Sequence, residues 1–301
     1  MNLFPPLLQK GDLIYITSPA KAIDAAYIQE AKVFLEKHGF QVLLAEHSQQ
    51  AYHYFSGTDE ERRRDFQFGI DHPDVKAIGC ARGGYGSIRI VDQIQWAAQL
   101  RAPKWIVGFS DITVFHQKMQ RYHVPSIHGT MPLNISSNTE ASLATLLQAL
   151  TEKSYSITAK SQLHNKYGEA SGPIVGGNLS ILFSLLGTDD RMDFQHKILF
   201  IEDLSEQLYH IDRMLHSFKK AGVFDQISGL IIGGMTDLKD TQPATGFVLE
   251  ELILSHFQYR NIPIAFDFPV GHIDDNQAIR IGDQAQLKVG ENEVSLKIGV
   301  N

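Results

Sequence analysis

Residues 75–122 read VKAIGCARGGYGSIRIVDQIQWAAQLRAPKWIVGFSDITVFHQKMQRY. An apolar run, Val75 to Cys80, feeds a glycine-rich turn, Arg82-Gly83-Gly84-Tyr85-Gly86, and then helical spacing from Ser87 to Leu100. A second short run, Trp105-Ile106-Val107, feeds Gly108-Phe109-Ser110 and a helix from Asp111 to Tyr122. Strands alternating with helices of about 10–15 residues predict a mostly parallel sheet covered by helices. The same rhythm continues on either side. Leu13–Ile16, Gln41–Ala45 and Ser126–His128 read as strands, and Ile23–His38 (stopped by Gly39) and Glu60–Gly69 read as helices. Function in such sheets gathers in the loops beyond the strands' C-terminal ends. Here those loops are Thr17–Ala20, Ala81–Gly86, Gly108–Asp111 and Gly129–Pro132.

The rhythm stops after Pro132. Residues 139–150 make an apolar-faced helix, and 153–171 are polar and suit an extended connector. This divides the chain into an N-terminal domain over 1–135, a helix and connector over 136–171, and a C-terminal domain over 172–301. In the last part Asn178–Leu186, Gln207–Ala221 and Phe247–Phe257 read as helices, with Leu208, Ile211, Met214, Leu215 and Phe218 on one stripe. Lys197–Ile201, ending in Glu202-Asp203, and Leu230–Ile232 read as strands, as do 278–281, 285–289 and 294–298, joined as hairpins at Gly282-Asp283 and Gly290-Glu291-Asn292. The expected class is α/β: a flavodoxin- or Rossmann-like sheet domain followed by a β-rich mixed α/β domain.

Composition bounds the function. The 301 residues carry 27 basic and 34 acidic side chains, a net charge of −7. Nucleic-acid binding is not expected, because phosphate neutralisation needs clustered cations. The single basic run, Arg62-Arg63-Arg64, sits among Asp59, Glu60, Glu61 and Asp65 and reads as a solvated helix face. One cysteine, Cys80, excludes an internal disulfide and a cysteine zinc site. The first residues lack the pattern of a signal peptide, and no apolar run approaches the roughly 18 residues of a membrane helix. A cytoplasmic protein without a membrane partner is expected. No His-Glu-x-x-His, His-x-His, Gly-x-Gly-x-x-Gly or P-loop pattern occurs, so neither metal nor cofactor is expected.

Ser110 follows a strand and a glycine and opens a helix, the context of a nucleophile elbow. There the free N–H groups of a helix start favour developing negative charge. Ser is equally a preferred N-cap. The glycines of Arg82–Gly86 allow either an oxyanion hole or a tight turn. A serine nucleophile needs a histidine base and a carboxylate to orient it. His272 and His128 lie in loop contexts, whereas His116 is inside a helix and reads as structural. Glu202 and Asp203 end a strand, where either can orient an imidazole or cap the next helix.

Five segments in order, Ala81-Arg82-Gly83-Gly84-Tyr85-Gly86, Gly108-Phe109-Ser110-Asp111, Gly176-Gly177-Asn178-Leu179, Ile201-Glu202-Asp203-Leu204 and Val270-Gly271-His272, span about residues 11–290. Together they resemble the LD-carboxypeptidase family of serine peptidases, which also contains the microcin C immunity peptidases. The resemblance implies a Ser110–His272–Glu202 triad in a cleft between two domains. It also implies an oxyanion hole from the backbone N–H groups of Asp111 and Gly84. The implied substrate is a murein tetrapeptide, cut after the L-centre of its diamino acid to release D-alanine. Arg82 is placed to meet its carboxylate and Tyr85 to line the cleft. A homodimer is expected by the same resemblance. Hydrolysis of peptidyl or aminoacyl nucleotide conjugates is the alternative within the family, and a non-catalytic two-domain binding module the alternative outside it. Many relatives carry Trp before Gly-Gly-Asn, where this chain has Val175.

Overall fold

The computed structural model describes residues 3–300. In chain order the elements are β1 Leu13–Thr17, α1 Ala25–Lys37, β2 Gln41–Leu44, α2 Asp59–Asp71, β3 Val75–Cys80, α3 Ser87–Ile90, α4 Ala97–Arg101, β4 Trp105–Gly108, α5 Thr113–Arg121, β5 Ser126–His128 and α6 Glu140–Thr151. They continue with β6 Tyr155–Lys160, β7 Gly168–Asn178, α7 Leu179–Ser184, β8 Ile198–Leu204, α8 Leu208–Lys220, α9 Val223–Gln226, β9 Gly229–Thr236, α10 Leu249–Ser255, β10 Ile264–Ala265, β11 Ile279–Ile281, β12 Gln284–Val289 and β13 Glu293–Ile298. The chain forms two units. One runs through Lys153 and also takes Asp274–Ile281, and the other comprises Ser154–Ile273 and the residues from Gly282 onward.

The first unit holds a six-stranded sheet in the order β11-β5-β4-β3-β1-β2. Its five sequential strands pair in parallel, and β11 pairs antiparallel with β5. Read from the other edge, 2-1-3-4-5 is the flavodoxin-like order, whose direction reverses between β1 and β3. The loops after β1 and β3 therefore flank the switch point, where such sheets bind ligands. Local signals explain the flanking helices. Asp24 accepts the Ala26 N–H and starts α1, and Thr58 and Glu61 form a reciprocal capping box at α2. Phe66 on α2 stacks on Phe115 on α5 at 4.2 Å.

Ser87–Leu100 is not one helix. It breaks into α3, a 3₁₀ turn at Val91–Gln93, and α4, with Ile94 extended between them. The break buries Ile94 and sets the Trp96 ring edge-on to Phe66. Burial of two large apolar side chains outweighs helix continuity here.

The second unit holds a seven-stranded sheet in the order β10-β9-β8-β7-β12-β13-β6. Strands β10, β9, β8 and β7 are parallel neighbours, and β7, β12, β13 and β6 are antiparallel neighbours. The long strand β7 joins the two regimes: residues 168–173 pair with β12 and 174–178 with β8. Of the expected stripe on α8, Ile211, Met214, Leu215 and Phe218 are buried, while Leu208 at the helix start is half-buried.

Two expectations fail here. Residues 153–171 are not merely a connector, since they supply β6 and the start of β7. Nor is Gly282-Asp283 a hairpin between β11 and β12. β11 joins the first unit's sheet and β12 the second's, so these residues carry the chain from one unit to the other. No helix among the described residues is long and apolar enough to cross a membrane.

The β11 segment is tied into the first unit by Arg280, whose buried guanidinium donates to the carbonyls of Glu152 at 2.9 Å and Lys153 at 2.8 Å. Arg280→Met removes both donors. A loss of about 2–4 kcal/mol is expected from two stranded carbonyls, read as an earlier urea transition followed by the fluorescence of Trp96 and Trp105, both buried in this unit.

Candidate active site

In the first unit, β4 delivers the chain to Phe109, which is extended, and then to Ser110 at φ 63°. A non-glycine residue in the left-handed region costs on the order of 1–3 kcal/mol and persists only where its surroundings over-determine it. A 3₁₀ turn over Ser110–Ile112 and α5 follow at once. Ser110 is therefore a strand–turn–helix elbow in backbone geometry as well as in sequence.

The glycine-rich loop after β3 packs onto it. A Cβ at Gly83 would stand 2.9 Å from Ser110 Cβ, 3.1 Å from its Oγ and 3.2 Å from the Asp111 nitrogen. Only glycine allows that approach. At Gly84, φ 106°, an added Cβ would meet the Tyr54 hydroxyl at 2.8 Å and Lys21 Cβ at 2.9 Å. The Asp111 carboxylate accepts the Ser87 N–H at 2.9 Å, tying the start of α3 to the elbow. Burial raises the Asp111 pKa, against hydrogen bonding from Ser87 and the charge of Arg62.

Arg62 departs from the solvated face expected of its run. Arg63 and Arg64 reach solvent, but Arg62 is 1% exposed. Its guanidinium donates to the carbonyls of Pro19, Gly57 and Gly86, pairs with Asp59, and lies over the Phe55 ring. It thus holds the loops after β1 and β3 together. The signal available in sequence was weak, because an arginine in a charged helix gives no hint of burial.

Arg82 donates to the Ala22 carbonyl at 3.1 Å, and no carboxylate among the described residues forms an ion pair with it. Tyr85 is 48% exposed and its ring lies 6.1 Å from Phe55. His116 and His128 are fully buried. His116 bridges the Gly108 carbonyl and the Ser126 hydroxyl at 2.8 Å each, and burial lowers its pKa to about 4. It is a neutral strut under the elbow. Burial also pushes the Cys80 thiol up, which makes it unreactive.

In the second unit, Glu202 lies in β8 with no exposure of its side chain, in register with Asn178 of β7. His272 Nδ1 stands 2.6 Å from Glu202 Oε2. Gly271 makes room for the pair, since a Cβ there would meet Glu202 Cβ at 2.5 Å and Oε2 at 2.7 Å. Asp203 has the other role. It accepts from Asn178 Nδ2, the Ser180 N–H and the Leu204 N–H at 3.0, 2.9 and 2.8 Å, and so fixes the start of α7. Burial raises its pKa to about 6, opposed by the Leu204 hydrogen bond and reinforced by Glu202. For His272, burial disfavours the charged ring most strongly, yet the field and hydrogen bond of Glu202, with the charge of Asp203, outweigh it, and the pKa rises above 6.5.

Both halves of the chain match known families. Residues 14–129 match the LD-carboxypeptidase N-terminal domain and 171–287 the LD-carboxypeptidase C-terminal domain. The chain belongs to the LD-carboxypeptidase family. It is 32% identical to a Bacillus subtilis protein named "Probable murein peptide carboxypeptidase", over all of this chain and 96% of the relative. It is 28% identical to the murein tetrapeptide carboxypeptidase of Pseudomonas aeruginosa, over 91% of this chain and 92% of the relative. Among solved structures, muramoyltetrapeptide carboxypeptidase from Oxalobacter formigenes superimposes with a TM-score of 0.87 at 27% identity, over 96% of this chain and 99% of that one. The microcin C7 self immunity protein MccF with glutamyl sulfamoyl guanosine shares the fold, with a TM-score of 0.85 at 20% identity over 96% and 97%.

The His272 charge state is measurable. In a ¹⁵N-detected NMR titration the ring should titrate above 6.5. Glu202→Gln should bring that value down, since burial then acts without the charge of Glu202 to oppose it. The stability gained by charging the imidazole is full below the unfolded value of 6.5 and fades as pH rises through the folded one. A His272 value unchanged in the variant contradicts the pairing.

Proposed function

We propose that this chain is a serine-type LD-carboxypeptidase that removes the terminal D-alanine from murein tetrapeptides. The observation that carries the reading is the strained Ser110 elbow with a glycine loop pressed against its hydroxyl. The substrate class rests on the names of relatives that match at least nine-tenths of its length.

In this reading Ser110 Oγ attacks the carbonyl that precedes D-alanine, and its proton passes to Nε2 of His272. Glu202 at Nδ1 selects the tautomer and stabilises the imidazolium as it forms. The backbone N–H groups of Asp111 and Gly84 receive the oxyanion. The C–N bond then breaks, His272 returns the proton to the leaving amine, and water activated by the same ring releases the acyl group. A raised His272 pKa stabilises the imidazolium on which both transfers depend. Arg82 has no carboxylate partner among the described residues and is the cation assigned to the substrate's terminal carboxylate, with the exposed Tyr85 assigned to line the site. A cytoplasmic homodimer is the setting proposed for this reaction.

Incubation with a murein tetrapeptide, followed by mass spectrometry, should show loss of one D-alanine. Ser110→Ala should cut kcat by roughly 10⁶-fold, the scale of a lost triad serine. Intact tetrapeptide with wild-type enzyme rejects the substrate. Cleavage only of an aminoacyl nucleotide conjugate would assign the immunity-type reaction, and binding without turnover would make the chain a binding module. For the active enzyme, the acid limb of kcat/KM should fall above 6.5, because the base must be neutral to accept the serine proton. A limb below that value rejects His272 as the base.

A further inference from the structure

The second unit carries a polar cluster that this reaction does not use. Asp212 and His216 lie one helical turn apart on α8, with His216 Nε2 3.5 Å from an Asp212 carboxylate oxygen. His256 follows the last residue of α10, and its ring meets the His216 ring edge-on at 4.8 Å. One ligand atom from each of the three residues lies within 4.8 Å of the others.

His256 is the independent observation that points to a ligand. It is 8% exposed, and neither ring nitrogen has a hydrogen-bond partner. A buried imidazole with no partner is unfavourable unless something binds it. Its ring also packs against Phe224, at 5.6 Å, which holds it in place beside Asp212 and His216.

We propose that Asp212, His216 and His256 bind one divalent transition-metal ion of the zinc type, clipping the end of α10 to α8. Two imidazoles and one carboxylate suit zinc, whereas magnesium and calcium select sites built of oxygen. Bonds of about 2.0–2.2 Å require ligand atoms closer than they stand here. His216 is more than half exposed and can rotate inward, while the buried His256 ring is fixed. Burial, His216 and Lys219 keep the His256 ring neutral, the form that binds metal. Lys219 is the nearby opposing charge, and it is exposed to solvent, where salt screens it. Water would complete a tetrahedral shell. The Asp-x-x-x-His spacing sets two ligands on one helix face, but the third comes from a residue forty positions away, so no local motif records the set.

The test uses the untagged full chain, stripped with EDTA and titrated with zinc by calorimetry and with cobalt by visible absorption. One metal per chain is expected, with cobalt d–d bands of tetrahedral type and a thermal transition that rises with zinc. His216→Ala, at an exposed position, and His256→Phe, which keeps the aromatic packing, should each weaken binding by at least about tenfold. If His256→Phe fails to fold, His216→Ala decides the matter alone. Binding well below one equivalent overturns the proposal. So does binding unchanged in His216→Ala, which would belong to other histidines. Tetrapeptide hydrolysis by Ser110→Ala and wild type is a separate readout, so failure here leaves the proposed reaction standing.

Discussion

Ser110 is held at φ 63°, and the first unit is arranged around keeping it there. Strand β4 is buried along its length, so the chain cannot relax backward. His116 grips the Gly108 carbonyl from below. Asp111 is pinned to the first N–H of α3, so the chain cannot relax forward. Gly83 closes the space above the hydroxyl. Strain of this kind survives where several independent contacts agree on one geometry. The outcome is a hydroxyl presented at the start of a helix, among N–H groups suited to stabilising negative charge.

The second unit solves a different problem, which is how to keep a carboxylate and an imidazole together with little water. Glu202 is fully enclosed, and an isolated carboxylate there would be costly. Its contact with His272 compensates that cost and lifts the ring's pKa. Asp203 is satisfied separately, by two backbone N–H groups and Asn178, so the adjacent carboxylates do not compete for one imidazole. Gly271 is the steric condition for the arrangement, as Gly83 is for the first unit. In both places a glycine is needed for what its absent side chain permits.

Buried charge recurs as the device that fixes loops. Arg62 spreads its donors over the carbonyls of Pro19, Gly57 and Gly86, and Arg280 does the same for Glu152 and Lys153. A planar guanidinium with five donors can satisfy several carbonyls at once, which a lysine cannot. Arg62 reaches out of α2 and Arg280 out of β11, and the carbonyls they serve lie where the chain runs outside regular secondary structure. Neither position is marked by local pattern.

Several features were legible in the residues alone. The alternation of short apolar runs with amphipathic stretches determined the parallel sheet, because strand and helix periods are local properties of side-chain spacing. The Gly-Phe-Ser-Asp turn announced an elbow for the same reason. Which of Glu202 and Asp203 would face an imidazole was not legible, since adjacent residues on a strand point to opposite faces and only the packing of Gly271 selects one. Nor was the membership of β11, whose spacing suits any sheet edge and whose partner, β5, lies some 150 residues earlier. Burial of Arg62, the break at Ile94 and the meeting of His256 with Asp212 and His216 were likewise decided by tertiary structure. Each depends on what distant segments leave room for, and a linear sequence carries the periods of its own elements but not the shape of the space their neighbours enclose.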